Sequence, residues 1–69
     1  MKVSYDSKSD LLYLRFEDRK QEVENRRVSE DIVLDIGKGG KIVGIEILDA
    51  SVHVNLKDVL PIQYELPPA

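Results

Sequence analysis

The chain has 69 residues, 33% of them charged, with a net charge of −3 and no cysteine. No disulfide framework or thiolate metal cluster is therefore available. No apolar run approaches the ~20 residues of a membrane helix, and the opening MKVSYDSKSD is not a signal peptide. A single cytoplasmic domain over residues 1–69 is expected. Basic and acidic residues are interspersed, which argues against a nucleic-acid-binding surface spread over the whole protein.

The first sixteen residues read as a hairpin. With Ser7, Lys8, Ser9 and Asp10 as its loop, Tyr5 faces Leu12, Val3 faces Leu14 and Met1 faces Phe16. The opposite face carries Lys2, Ser4, Asp6, Leu11, Tyr13 and Arg15 and is only partly polar. Asp18 to Glu22 is polar and turn-like, Val23 to Val28 reads as a further strand, and Ser29, Glu30 and Asp31 form a tight turn. The clearest pattern follows. Ile32 to Ile36 and Ile42 to Leu48 flank Lys38-Gly39-Gly40-Lys41, so that Ile36 faces Val43, Leu34 faces Ile45 and Ile32 faces Ile47 on one aliphatic side. A slip of one residue would set Leu34 opposite Gly44 and Ile32 opposite Glu46, so the hydrophobic pattern itself selects the register. The glycine pair supplies the positive φ that the turn needs.

Beyond Leu48 the pattern changes. Asp49, Ala50 and Ser51 form a strand exit, and Asn55 caps one to two helical turns that carry Leu56, Val59 and Leu60 on one face and stop at Pro61. A competing reading takes Val52, His53 and Val54 as a strand, because they alternate. Ile62, Tyr64 and Leu66 alternate again before Pro67 and Pro68, which suggests a short terminal strand at a sheet edge or on a partner. The expected fold class is α+β, mainly β. It is an antiparallel up-and-down meander of five to six strands, with one short C-terminal helix packed on its aliphatic face.

The assembly follows from size. Val, Ile and Leu total 22 residues, enough for a core. A lone core in so short a chain nevertheless supplies only about 3–5 kcal/mol without staples. The second sheet face bears Leu11, Tyr13, Val33, Ile42 and Leu48 among its charges, so a symmetric homodimer is expected to cover the deficit. High charge, no cysteine, two Asn and two Gln also match a thermophile-like composition.

Tyr5-Asp6, Asp10, Leu12-Tyr13-Leu14, the run Asp31-Ile32-Val33-Leu34-Asp35, and Val43-Gly44-Ile45-Glu46-Ile47-Leu48-Asp49-Ala50-Ser51 together form a recognisable pattern. The chain resembles the small prokaryotic domain-of-unknown-function family 2283 over residues 1–51, most specifically in the Gly44 to Ser51 stretch. The resemblance implies a compact β-rich domain with a short C-terminal helix, typically a short stand-alone prokaryotic protein, and implies no activity. One departure stands out: the family often has a Thr in the strand before the central hairpin, where this chain has Asn25-Arg26-Arg27.

Few residues point to chemistry. His53 is the sole histidine and lacks the partnered set that a nucleophilic site needs. Gly37-Lys38-Gly39-Gly40-Lys41 has hairpin spacing and not that of a phosphate loop. Asp35 and Glu46 are more interesting. With Asp35 opposite Gly44 and Val33 opposite Glu46, the two carboxylates are diagonal neighbours roughly 5–8 Å apart at Cβ. They are the candidates for an oxygen-ligand metal site or an acid–base pair, against the plainer alternative of ion pairs with Arg15, Arg26 or Arg27. Gly44 leaves an open space beside them, for a ligand or for a bulky neighbour such as Tyr13.

No catalytic residue and no cofactor is expected. The favoured function is a non-enzymatic homodimeric interaction or regulatory module, with Tyr13, Arg26, Arg27, Ile42 and Leu48 as its contact candidates. The alternatives are a nucleic-acid-associated, antitoxin-like accessory protein using Arg26 and Arg27, and a small metal-binding or hydrolytic protein using Asp35 and Glu46.

Overall fold

Five runs of strand-forming sequence build one antiparallel sheet in the computed structural model, which describes residues 1–62 and 64–67. The strands are β1 (Lys2–Asp6), β2 (Leu11–Arg15), β3 (Glu24–Arg27), β4 (Ile32–Ile36) and β5 (Ile42–Ile47). A four-residue helix, α1 (Ala50–His53), and a 3-10 turn at Leu56–Asp58 follow. The fold is therefore α+β and mainly β. No helix among the described residues is long and apolar enough to cross a membrane.

The strand order is β1-β2-β5-β4-β3, which corrects the sequential meander. The reason lies in the side chains. All four residues of β3 are exposed and polar, which suits an edge, whereas Val43 and Gly44 of β5 are buried. The aliphatic strand takes the centre and the polar one is pushed to the rim. Three inter-strand spacings of about 4.8 Å separate β2 from β3, and the connection from Phe16 to Val23 spans them easily. Arg15 holds the start of that connection, donating to the carbonyls of Glu17 at 2.7 Å and Arg19 at 3.2 Å.

Both hairpin registers follow the hydrophobic pattern. Val3 stands opposite Leu14 and Tyr5 opposite Leu12. In the central hairpin Ile32 pairs with Ile47, Leu34 with Ile45 and Asp35 with Gly44. The expected pairing of Ile36 with Val43 gives way to Ile36 with Ile42, because the ladder shifts between Asp35 and Ile36. Such a bulge adds one residue to one strand; Val43, next to the shifted pair, is 1% exposed. Burial of a side chain of this size contributes roughly 1.5–3 kcal/mol. Gly39 and Gly40 adopt φ of 76° and 78° in the loop, as the turn requires.

The apolar core is small: Leu12, Val33, Val43 and Ala50. On the aliphatic side Val3, Leu14, Ile32, Leu34, Ile36, Ile45 and Ile47 are only half-buried. The helix expected over Leu56–Leu60 is replaced by the earlier α1 and the 3-10 turn, which Asn55 does cap by accepting from the Lys57 amide at 3.2 Å. Ser51, Val52 and His53 are thus helical, and the strand reading of Val52 to Val54 is also set aside. Ile62 and residues 64–66 form no strand, so the terminal-strand reading is not met at these positions; Gln63 and Pro68 lie outside the described residues.

Candidate functional site

Two polar clusters organise the sheet. The first ties α1 to the sheet. Asp10 closes the β1–β2 loop with a left-handed φ of 53°, a conformation that Asp tolerates better than most residues. Its carboxylate accepts from the Tyr5 hydroxyl at 2.7 Å, from the Ser51 amide at 3.0 Å and from the Ser51 hydroxyl at 2.6 Å. Its carbonyl accepts from the Ala50 amide at 2.9 Å. Asp49, which precedes α1 at φ 50°, makes no side-chain cap. A loop some forty residues away in sequence therefore caps the helix. The Ser51 and Tyr5 bonds hold the Asp10 carboxyl below the usual carboxylate range, and the bond to Asp10 pushes the Tyr5 phenol up. On the other side His53 Nε2 meets Asp31 Oδ2 at 2.8 Å, so α1 is fastened to the approach to β4 as well.

The second cluster is the candidate site. Tyr13 on β2, Gly44 and Glu46 on β5, and Asp35 on β4 share the mixed face of three adjacent strands. Gly44 has no side chain, and Tyr13 uses the space: a Cβ on Gly44 would lie 2.6 Å from the Tyr13 hydroxyl oxygen. From there the hydroxyl donates to Asp35 Oδ2 at 2.9 Å. Asp35 is only 6% exposed, and its Oδ1 is enclosed without a hydrogen-bond partner. Glu46 neighbours it diagonally. Burial first, then Asp35 as hydrogen-bond acceptor and negative charge, push the Glu46 carboxyl above its ordinary range, with Arg27 pulling the other way. Protonated Glu46 is thus the neighbour able to supply the donor that Asp35 lacks. Burial and the bond to Asp35 push the Tyr13 phenol up too. Ser4, Asp6 and Leu11 complete an open cleft of about 430 Å³ around these three side chains.

The structure thus brings Asp35 and Glu46 together, as the hairpin register indicates, and fills the space at Gly44 with Tyr13. No arginine of the described residues forms an ion pair with either carboxylate, although Arg27 lies near enough to pull on Glu46. Among the described residues the ion pairs are Glu17–Arg19 and Glu24–Arg26, and Asp31 is hydrogen-bonded to His53. Arg27 donates to the Glu30 carbonyl. No group of three or more His, Cys, Asp or Glu among the described residues is placed to hold a metal ion. Of the other contact candidates, Ile42 is 47% exposed and Leu48 half-buried, its amide bonded to the Asp31 carbonyl. Sequence reasoning treated Asp10 as a loop-closing residue and missed its bond to Ser51. No local pattern joins those two positions, although both belong to the motifs that carry the resemblance.

The chain has no significant match among curated proteins or among solved structures. The family model described as "Protein of unknown function (DUF2283)" matches residues 2–51, a span that includes both clusters apart from His53. The chain belongs to that family.

Proposed function

We propose that this protein is a cytoplasmic, non-enzymatic interaction module that works as a homodimer and regulates a partner through its assembled surface. The supporting observation is surface area. The chain of 7.9 kDa exposes 5741 Å², whereas a folded monomer of that mass is expected to expose about 4,400 Å². Its radius of gyration is 13.3 Å, against about 11 Å for a compact domain of this length. The surplus of roughly 1,300 Å² exceeds the ~800 Å² that each partner contributes to a standard interface.

Much of this surface is apolar. Leu60, Ile62, Tyr64 and Leu66 are 58%, 51%, 86% and 76% exposed, and none of these four described residues lies in a strand. Exposed apolar side chains at alternate positions suit a surface supplied by a second copy. Sedimentation equilibrium at micromolar concentration should return twice the 7.9 kDa chain mass. The double variant Ile62→Asp/Leu66→Asp should return the chain mass with an unchanged far-ultraviolet spectrum. A wild-type monomer under these conditions overturns the proposal.

A further inference from the structure

The sheet ends on β1 and β3, each with one side free. A free edge offers its unpaired amides and carbonyls to any strand that can match them. Which groups β1 offers follows from the ladder. The Phe16 amide donates to the Val43 carbonyl at 2.7 Å, so Phe16 and, by alternation, Leu14 and Leu12 turn their main chain towards β5. Leu11, Tyr13 and Arg15 therefore serve β1, where they stand opposite Asp6, Ser4 and Lys2. Val3 and Tyr5 are left with amide and carbonyl aimed outward. No proline and no bulge interrupts this edge, and apart from the half-buried Val3 it is exposed.

We propose that two copies of the chain pair antiparallel along β1, about a two-fold axis at Ser4, and so join their sheets into one. The inference rests on the homodimer proposed above and names its seam. In this register Val3 of each copy faces Tyr5 of the other, so that outward amides meet outward carbonyls. Lys2 of each copy faces the second copy's Asp6 on the same side of the sheet. Neither residue has an ion-pair partner among the described residues of its own chain. The Asp6 carboxylate accepts there only from the Lys8 amide, through Oδ1 at 3.0 Å. A slip of one residue sets outward groups against groups already bonded to β2. A slip of two in either direction loses the Lys2–Asp6 pairs. Backbone alternation and charge thus agree on one self-complementary alignment.

The opposite edge does not offer the equivalent. The Val28 amide donates to the Ile32 carbonyl at 2.9 Å, so Arg26 and Glu24, opposite Leu34 and Ile36, are bonded to β4. Asn25 and Arg27 face outward, and pairing both with a second copy would set Arg26 against Arg26. The surface available is sufficient. The surplus of roughly 1,300 Å² over a folded monomer exceeds the ~800 Å² of a standard interface, which leaves room for this seam and the apolar chain end in one contact. On the aliphatic side, Val3 and Tyr5 of both copies extend the half-buried face that Leu14, Ile45 and Leu34 form.

Charge exchange tests the seam. Lys2→Glu sets a carboxylate against Asp6, and Asp6→Lys sets an ammonium against Lys2, at both ends of the paired strands. Each variant alone should weaken self-association about tenfold or more at low ionic strength. An equimolar mixture of the two restores opposite charges at both ends, and sedimentation should again return twice the 7.9 kDa chain mass. Hydrogen exchange on the wild-type chain needs no variant and decides the matter should Asp6→Lys not fold. The Val3 and Tyr5 amides should exchange about tenfold or more slowly in the dimer than after dilution to monomer. A wild-type monomer at micromolar concentration overturns the homodimer and the seam with it. The seam alone is overturned by a wild-type dimer whose folded variants associate unchanged, by a mixture as weak as its components, or by Val3 and Tyr5 amides indifferent to concentration.

Discussion

Tyr13 reaches from β2 across the bare backbone of Gly44 on β5 to donate its hydroxyl to Asp35 on β4, at 2.9 Å. One side chain thereby links three strands and satisfies half of a buried carboxylate. Tyr13→Phe removes that donor and leaves Oδ2 of the buried Asp35 carboxylate without its hydrogen bond. The expected cost is about 1–3 kcal/mol, the price of a buried polar group stripped of its bond. Chemical denaturation should show the loss as a shifted midpoint with an unchanged slope.

Gly44 tests the same arrangement from below. A methyl group there would lie 2.6 Å from the Tyr13 hydroxyl oxygen and 2.8 Å from the ring, so Tyr13 must leave its place and release Asp35. Gly44→Ala should therefore destabilise by about 1–3 kcal/mol in the wild-type background. In a Tyr13→Ala background the obstruction is gone, and the same substitution should cost less than about 0.5 kcal/mol. Equal costs in both backgrounds would show that the glycine serves some purpose other than room for the ring.

Asp10 joins the first hairpin loop to α1. Asp10→Ala removes the bonds to Tyr5 and Ser51 at once, and with them the cap of α1, and should destabilise the helix. Hydrogen exchange should speed up at Ser51 and through α1 while the amides of β4 and β5 change little. The sign of the pH effect follows from the lowered folded-state value. The contribution of Asp10 is fully present above the ordinary carboxylate range and disappears as pH falls through the lower folded value. Wild type and Asp10→Ala should accordingly converge in acid.

Glu46 has the opposite dependence. Its carboxyl is raised in the folded protein, so the folded state holds the proton more tightly than the unfolded chain. Stability then decreases as pH rises from the ordinary glutamate range through the folded value and levels off above it. Glu46→Gln removes the titration and keeps a donor for Asp35. The variant should match wild type in acid and exceed it at neutral pH by about 1 kcal/mol. For a domain of this size that gain raises the melting temperature by roughly 4–8 °C. Thermal melts at several pH values would read both effects, and a variant that loses stability at neutral pH contradicts the assignment.

The two hairpins were legible because a period of two in hydrophobicity admits a single register when one face is apolar. Val3–Leu14, Tyr5–Leu12, Leu34–Ile45 and Ile32–Ile47 all follow from it. The diagonal placement of Asp35 and Glu46 followed from the same register. What misled was proximity. Val23 to Val28 looked like the neighbour of β2, because short connections usually join adjacent strands. Its polar residues instead send β3 to the rim and leave the space beside β2 to β5. The helix was misplaced for a related reason: Asn55 is a good local cap, but the cap that starts α1 comes from Asp10.

Local pattern by itself determined strand identity, hairpin register, the glycine turn and the shared face of Asp35 and Glu46, because each depends on residues a few positions apart in the chain. Strand order, the capping of α1 by Asp10, and the enclosure of Asp35 beneath Tyr13 were decided only by the tertiary structure. Each of these is a contest between distant segments for the same space or the same hydrogen bond, settled by the whole sheet and not by any one stretch of it.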